Sequence, residues 1–321
     1  MTSTHSRKSW LPGIRRAAQA SWVVLIILFM SWYFHRHWTD FAQYSWSLDP
    51  WWALPALFFA LVRRLLAGLR WPIIAFLDAG KIPLPLFWDH MRVFFLSNLA
   101  SYLPGTVWYM ASRIQQSKKR GHSILRTSVG LVFETGLLLW FGMMVGILTL
   151  DRLIPFPREV LVAGSVLMIV ISLVVTHPKV AQAILRLLMR LLRQPVQPVH
   201  IRWSLGLTMW LLSLGIYVAW GLCLFCLLKA LGATVTIGRL LDITSLFALS
   251  WVIGFLTPWA PSGLGIREGL LYVMLQGIAA PPMAMVAAVA TRIITILEDV
   301  FWAAVSLLIG SPTPVTPPPK E

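Results

Sequence analysis

One interrupted apolar stretch constrains this chain more than any other feature. Thr257-Pro-Trp-Ala-Pro-Ser-Gly-Leu-Gly-Ile-Arg-Glu268 places two prolines, two glycines, an arginine and a glutamate inside sequence otherwise long and apolar enough to cross a bilayer. In hydrocarbon each unpaired backbone group costs several kcal/mol, so irregular backbone at that depth persists only where it is buried in protein or lines a wet cavity. A charged side chain there adds roughly 2.5–3.5 kcal/mol on insertion scales and marks a functional position by default. The stretch reads as the wall of a binding site.

Composition fixes the class. Hydrophobic residues make up 58% and charged residues 12% of the 321 positions, with a mean hydropathy of +0.74. Those values predict an all-α integral membrane protein; a plasma (bacterial inner) membrane is its expected location. The 27 Lys and Arg against 12 Asp and Glu lie mainly between apolar runs, with no basic domain to hold a duplex, so nucleic acid is not expected as a partner. Apolar runs at 20–35, 51–76, 127–150, 159–176, 204–229 and 283–309 are each near the roughly 20 residues that a spanning helix needs. Six spanning helices follow. The first has the charge order of a signal peptide, but with no A-x-A-like site after it, it reads as a retained anchor behind a cytoplasmic segment 1–19. Two shorter stretches, about 93–112 and 241–278, are broken by Pro and Gly and predict re-entrant hairpins. Residues 311–321 form a Pro-rich disordered tail beyond a single polytopic domain at 20–310.

Charge placement gives an orientation. With the N-terminus inside, cytoplasmic segments hold Arg7, Lys8, Arg15, Arg16, Arg63, Arg64, Arg70, Lys81, Arg92, Arg113, Lys118, Lys119, Arg120, Arg126, Lys179, Arg186, Arg190, Arg193 and Arg202. Outside connections hold only Arg36, Arg152, Arg158, Lys229 and Arg239, and nineteen against five obeys the positive-inside rule. Both termini are then cytoplasmic. The stretch Lys179–Arg193 reads either as an amphipathic helix on the inner surface or as a solvated basic loop. Each half also repeats one order: span, span, broken hairpin, span. Pro104 precedes Arg113 by nine positions and Pro258 precedes Arg267 by nine. The hairpins enter from opposite sides, so 20–150 and 159–310 predict inverted repeats, an arrangement found in transporters.

The residues that carry chemistry cluster around those breaks. Arg113 and Arg267 each follow a break where a helix can start, so a guanidinium fork and free N–H groups can converge on a phosphate. On the last span Ala284, Ala288, Arg292, Thr295, Asp299, Ala303 and Ser306 recur every three or four positions, a small polar face expected to point into the bundle. Glu134 shares a helical face with Thr127 and Gly130; it and Glu268 can neutralise the arginines or carry a proton. Structural ion pairing explains the same charges equally well. The single asparagine, Asn98, fits a helix cap as well as a ligand contact.

Asn98, Leu103-Pro104-Gly105, Arg113, Glu134, Pro258, Pro261-Ser-Gly263-Leu-Gly265-Ile-Arg267-Glu268 and Arg292 together resemble the membrane domain of the lysyl-phosphatidylglycerol synthase family, also called flippase-like or UPF0104 proteins. The resemblance covers about residues 10–310. Ser262 stands where the family more often has glycine. The family's aminoacyl-transferase domain has no counterpart here, so the resemblance implies lipid handling without aminoacylation: binding and translocating a phospholipid or another lipid-linked anionic headgroup, with no cofactor. The alternative is a non-transporting scaffold for an envelope-biosynthesis enzyme. An enzyme is not expected, because no catalytic or metal motif stands out. Cys223-Leu-Phe-Cys226 lacks a second ligand pair, and His35-Arg-His-Trp-Thr-Asp40 is predicted on the wrong side for a cytosolic acyl donor. Gly142-Met-Met-Val-Gly146 reads as close helix packing, and the tryptophans as interfacial anchors.

Overall fold

The structure, a computed structural model, describes residues 48–75, 83–102, 108–120, 122–175, 177–191, 203–257, 260 and 263–308, with isolated positions 35, 39, 42 and 44. The predicted first span at 20–35 (apart from position 35), the tail, Leu103-Pro104-Gly105, Pro258, Pro261 and Ser262 lie outside the described residues. The rest is helical: α1 Pro50–Ala75, α2 Leu84–Leu99, α3 Trp108–Lys119, α4 Ile124–Gly146, α5 Arg158–Val175, α6 Pro178–Leu191, α7 Trp203–Ala230, α8 Leu240–Phe255, α9 Ile266–Leu275 and α10 Pro281–Leu308. Short 3-10 turns extend α2 and α4 at their C-terminal ends and lead into α8. Asp49 starts α1: its Oδ1 accepts the Trp51 N–H at 2.9 Å, while Pro50 occupies a first-turn position whose N–H has no use.

Among the described residues five stretches are long and apolar enough to cross a membrane: Pro50–Ala75, Thr127–Asp151, Arg158–Val175, Trp203–Ala230 and Ile237–Phe255. The chain is therefore a membrane protein of all-α class. The fifth differs from the sequence expectation, which gave that segment to a hairpin; with its leading 3-10 turn it reaches spanning length before the Pro/Gly break ends it. The predicted last span does form the 28-residue helix α10, but Arg292, Glu298 and Asp299 interrupt its apolar character.

Antiparallel packing organises the bundle. Helices α1 and α7 lie along one another, with Asp49 N–H donating to the Ala230 carbonyl at one end, Trp52 edge-on to Phe225, and Arg63 over Trp220 further along. Helices α2 and α3 fold back as a hairpin, Arg120 bridging Asp89 at its base and Arg113 meeting Ser97 near its tip. Helices α8 and α9 fold back likewise across the Pro/Gly break. Among the described helices the contacts of one hairpin have mates in those of the other, while α5 and α6 have no described counterpart. The hairpin α2–α3 packs on α1, α4 and α10, and the hairpin α8–α9 packs on α7, α10 and α4 in the corresponding way.

Small residues permit the close approaches. Gly68 of α1 sits against Phe95 and Met91 of α2, as Gly221 of α7 sits against Thr244 of α8. Gly142 and Gly146 pack against Tyr217, Val252 and the Leu249 backbone, so the GxxxG is spent inside the chain. On α10, Ala284, Ala288, Asp299, Ala303 and Ser306 are buried, which turns that face inward. Helix α5 leaves most of its apolar side chains exposed, as lipid contact requires. The Lys179–Arg193 stretch is helical over Pro178–Leu191.

Candidate functional site

A cavity of about 200 Å³ lies where residues flanking the two breaks, Tyr102, Tyr109, Phe255 and Gly263 among them, meet the middles of α1 and α10. Arg63 is roughly 20 Å along a helix of roughly 39 Å, close to its midpoint. Six arginines line the cavity: Arg63, Arg64, Arg70, Arg113, Arg267 and Arg292. Asn98, Tyr102, Glu134, Tyr217, Trp220, Phe247, Gly263 and Asp299 also contribute to its wall. Arg113 and Arg267 thus share one polar space.

The two hairpin arginines occupy matching ring sandwiches. The Arg113 guanidinium lies 4.8 Å from the Trp71 ring of α1 and 4.5 Å from Phe94 of α2. The Arg267 guanidinium lies 5.7 Å from Trp220 of α7 and 4.8 Å from Phe247 of α8. Their hydrogen bonding differs. Arg113 donates to Ser97 Oγ at 3.0 Å, to Glu134 Oε2 at 2.7 Å and to Asn98 Oδ1 at 3.3 Å. It is 1% exposed. Arg267 has no carboxylate within ion-pair distance among the described residues and is only partly buried.

Other charges are paired across helices. Arg63 bridges Glu298, and Arg64 bridges Asp299, tying α1 to α10. Tyr102 donates to Asp299 Oδ2 at 2.6 Å, which brings the end of the first hairpin's outgoing arm onto the same carboxylate. Arg292 approaches Glu268 at 3.9 Å. Arg70 donates to the Glu134 carbonyl at 2.6 Å, and its Nε is buried without a partner. The α3–α4 pair is therefore bridged by Arg113 and Glu134, and the α9–α10 pair by Glu268 and Arg292, with acid and base exchanged between halves.

The break after α8 is built for this geometry. Gly263 has φ +68°, and a Cβ there would meet the Gly254 carbonyl oxygen at 2.7 Å, so both conformation and space require glycine. Gly265 caps α9 at φ 84°, and its N–H donates to Glu268 Oε2 at 2.7 Å. Glu268 accordingly serves its own helix start and Arg292, and no ion pair joins it to the adjacent Arg267.

Two sequence expectations need correction. Arg63, Arg64 and Arg70 were assigned to a cytoplasmic connection, but all three lie inside α1; Glu298 and Asp299 hold the first two there and the Glu134 carbonyl accepts from the third. Together with buried Arg113, four charges leave the cytoplasmic count, and fifteen against five remain. Arg113 is the sixth residue of α3, more than one turn from its start, so backbone N–H groups beside it are already used in the helix and only its side chain faces inward. Arg267, second in α9, does sit in the first turn.

Sequence reasoning missed Arg63, Arg64, Arg70, Glu298, Tyr102, Tyr217 and Trp220. A signal was available for the arginines: a run long enough to span cannot hold Arg63 and Arg70, two turns apart on one face, and also place them in a connection. Among the described residues no group of three His, Cys, Asp or Glu side chains has metal-binding geometry, and Cys223 and Cys226 are buried free thiols. No family model and no curated protein matches the chain.

Proposed function

We propose that this membrane protein handles lipids, translocating a phospholipid or lipid-linked anionic headgroup through the arginine-lined cavity between two inverted repeats. The observation that carries the reading is Arg267: a guanidinium aimed into a mid-bundle cavity, held by aromatic rings and free of any acid among the described residues. Such a charge is costly in hydrocarbon unless an anion meets it. Arginine's planar fork grips phosphate oxygens in two places and keeps its charge at physiological pH.

The pairwise match of contacts between halves supports the repeats. Helices α1 and α7 hold corresponding places and run antiparallel, as inversion demands. The remaining fifteen-to-five charge asymmetry supports cytoplasmic termini. A cavity of about 200 Å³ admits a headgroup and leaves acyl chains in the bilayer. The resemblance to the lysyl-phosphatidylglycerol synthase membrane domain points the same way.

Proteoliposomes carrying headgroup-labelled anionic phospholipid test the proposal. Exchange between leaflets should run faster than in protein-free vesicles and faster than for phosphatidylcholine in the same vesicles. Equal rates for every lipid would leave the scaffold reading, and a new lipid product in the vesicles would reveal an enzyme.

A further inference from the structure

Charge around the cavity can be counted almost completely. Six guanidiniums line it, and four carboxylates, Glu134, Glu268, Glu298 and Asp299, meet them. The chain has 12 acidic residues, and none of the others described approaches the site. Asp49 caps α1, Asp89 pairs with Arg120, Asp242 pairs with Arg239, and Asp151 and Glu159 are exposed. Asp40, Asp78 and Glu321 lie outside the described residues and outside every apolar run. The breaks at 103–107 and 258–262 contain no ionisable side chain. The surplus is two positive charges, Arg70 and Arg267.

We infer that the cavity selects a phosphoryl group carrying two negative charges, as a phosphomonoester or a pyrophosphate, over a singly charged phosphodiester. The inference rests on the anionic-headgroup reading and narrows it. Arg70 is 1% exposed, lines the cavity and has a buried Nε without a partner. Arg267 faces the same space over Phe247 and Trp220. Arg292, held to Glu268 only at 3.9 Å, adds a third donor group that can turn to a ligand without breaking a tight pair. A dianion leaves no uncompensated charge in the low-dielectric interior, whereas a phosphodiester leaves one and a zwitterionic headgroup leaves two. Guanidinium forks suit the terminal oxygens of a phosphomonoester, which offers three of them.

Binding to the full chain in phosphatidylcholine nanodiscs reads this directly, with phosphatidic acid and phosphatidylglycerol as probes and inorganic phosphate and pyrophosphate as soluble competitors. Phosphatidic acid should bind about tenfold or more tightly than phosphatidylglycerol at pH 7.5, the gain expected from one additional charged hydrogen-bonding group. That ratio should shrink towards pH 5, because a phosphomonoester loses its second charge near pH 6, while phosphatidylglycerol binding stays level. Arg267→Gln should bring the ratio close to one, and Arg267→Lys should keep part of it. Competition by inorganic pyrophosphate or phosphate would extend the same site to soluble phosphate; failure to compete would assign it to lipid-borne phosphate, and both agree with the inference. Equal binding of the two lipids at both pH values, weakened alike by Arg267→Gln, would overturn the dianion preference and leave the anion site standing. Binding of neither lipid, or binding that Arg267→Gln and Arg267→Lys do not change, would overturn both.

Discussion

Each of the three Arg113 guanidinium nitrogens already donates to a protein partner, Ser97, Glu134 or Asn98, while Arg267 rests on two rings and faces the cavity. The first is a strut between a hairpin and a span, and the second is the ligand-facing member of the pair on the proposed reading. Glu298 is another strut, and its removal should strand Arg63 in the bundle. Glu298→Ala is expected to cost about 3–5 kcal/mol in unfolding measured in detergent micelles, and Arg63→Met with Glu298→Met should recover much of that loss. No recovery in the double variant would mean that the pair does more than neutralise itself. Arg113, Glu134, Arg267, Arg292 and Asp299 were legible in the sequence because charge inside an apolar run is conspicuous. Arg63, Arg64 and Arg70 were hidden by the orientation rule, which claimed them as connection charges. Tyr102, Tyr217 and Trp220 were hidden by company, since an aromatic ring in an apolar helix looks like packing until its neighbours are known.

Helix α9 begins where backbone freedom runs out for any residue but glycine. Its cap places Arg267 in the first turn, and Gly263 lets the preceding turn touch the Gly254 carbonyl. Gly263→Ala adds a strained φ of about 1–3 kcal/mol and an overlap with backbone that cannot swing aside. The variant should unfold earlier and lose lipid binding more than Gly269→Ala, a position with nothing within 4 Å of an added Cβ. Equal behaviour of the two variants would contradict the role given to the turn. Both breaks were legible as breaks from Pro and Gly alone. How far each arm reached was not, because the length of α8 depends on a 3-10 turn at Ile237–Arg239 that carries no composition signal.

At the scale of the whole molecule, the proposed reading has the two halves of the fold facing opposite sides of the membrane. Cysteines introduced as Lys119→Cys and Pro155→Cys, in a chain with Cys223 and Cys226 replaced, should label only from the cytoplasm and only from outside respectively. Reversed labelling at both would reject the orientation, and labelling of both from one side would reject the inversion of the halves. Spacing alone suggested a repeat order, but the antiparallel seam between α1 and α7 needed the contacts of Asp49, Trp52 and Arg63, which no local pattern announces. The central claim is that the cavity works by gripping an anion through Arg267. Headgroup-labelled lipid flux and thermal unfolding, measured on the same preparations of Arg267→Lys and Arg267→Ala, test it most directly. Lysine should retain part of the flux and alanine almost none, with both proteins unfolding close to the parent; full flux through a stably folded Arg267→Ala would contradict the account.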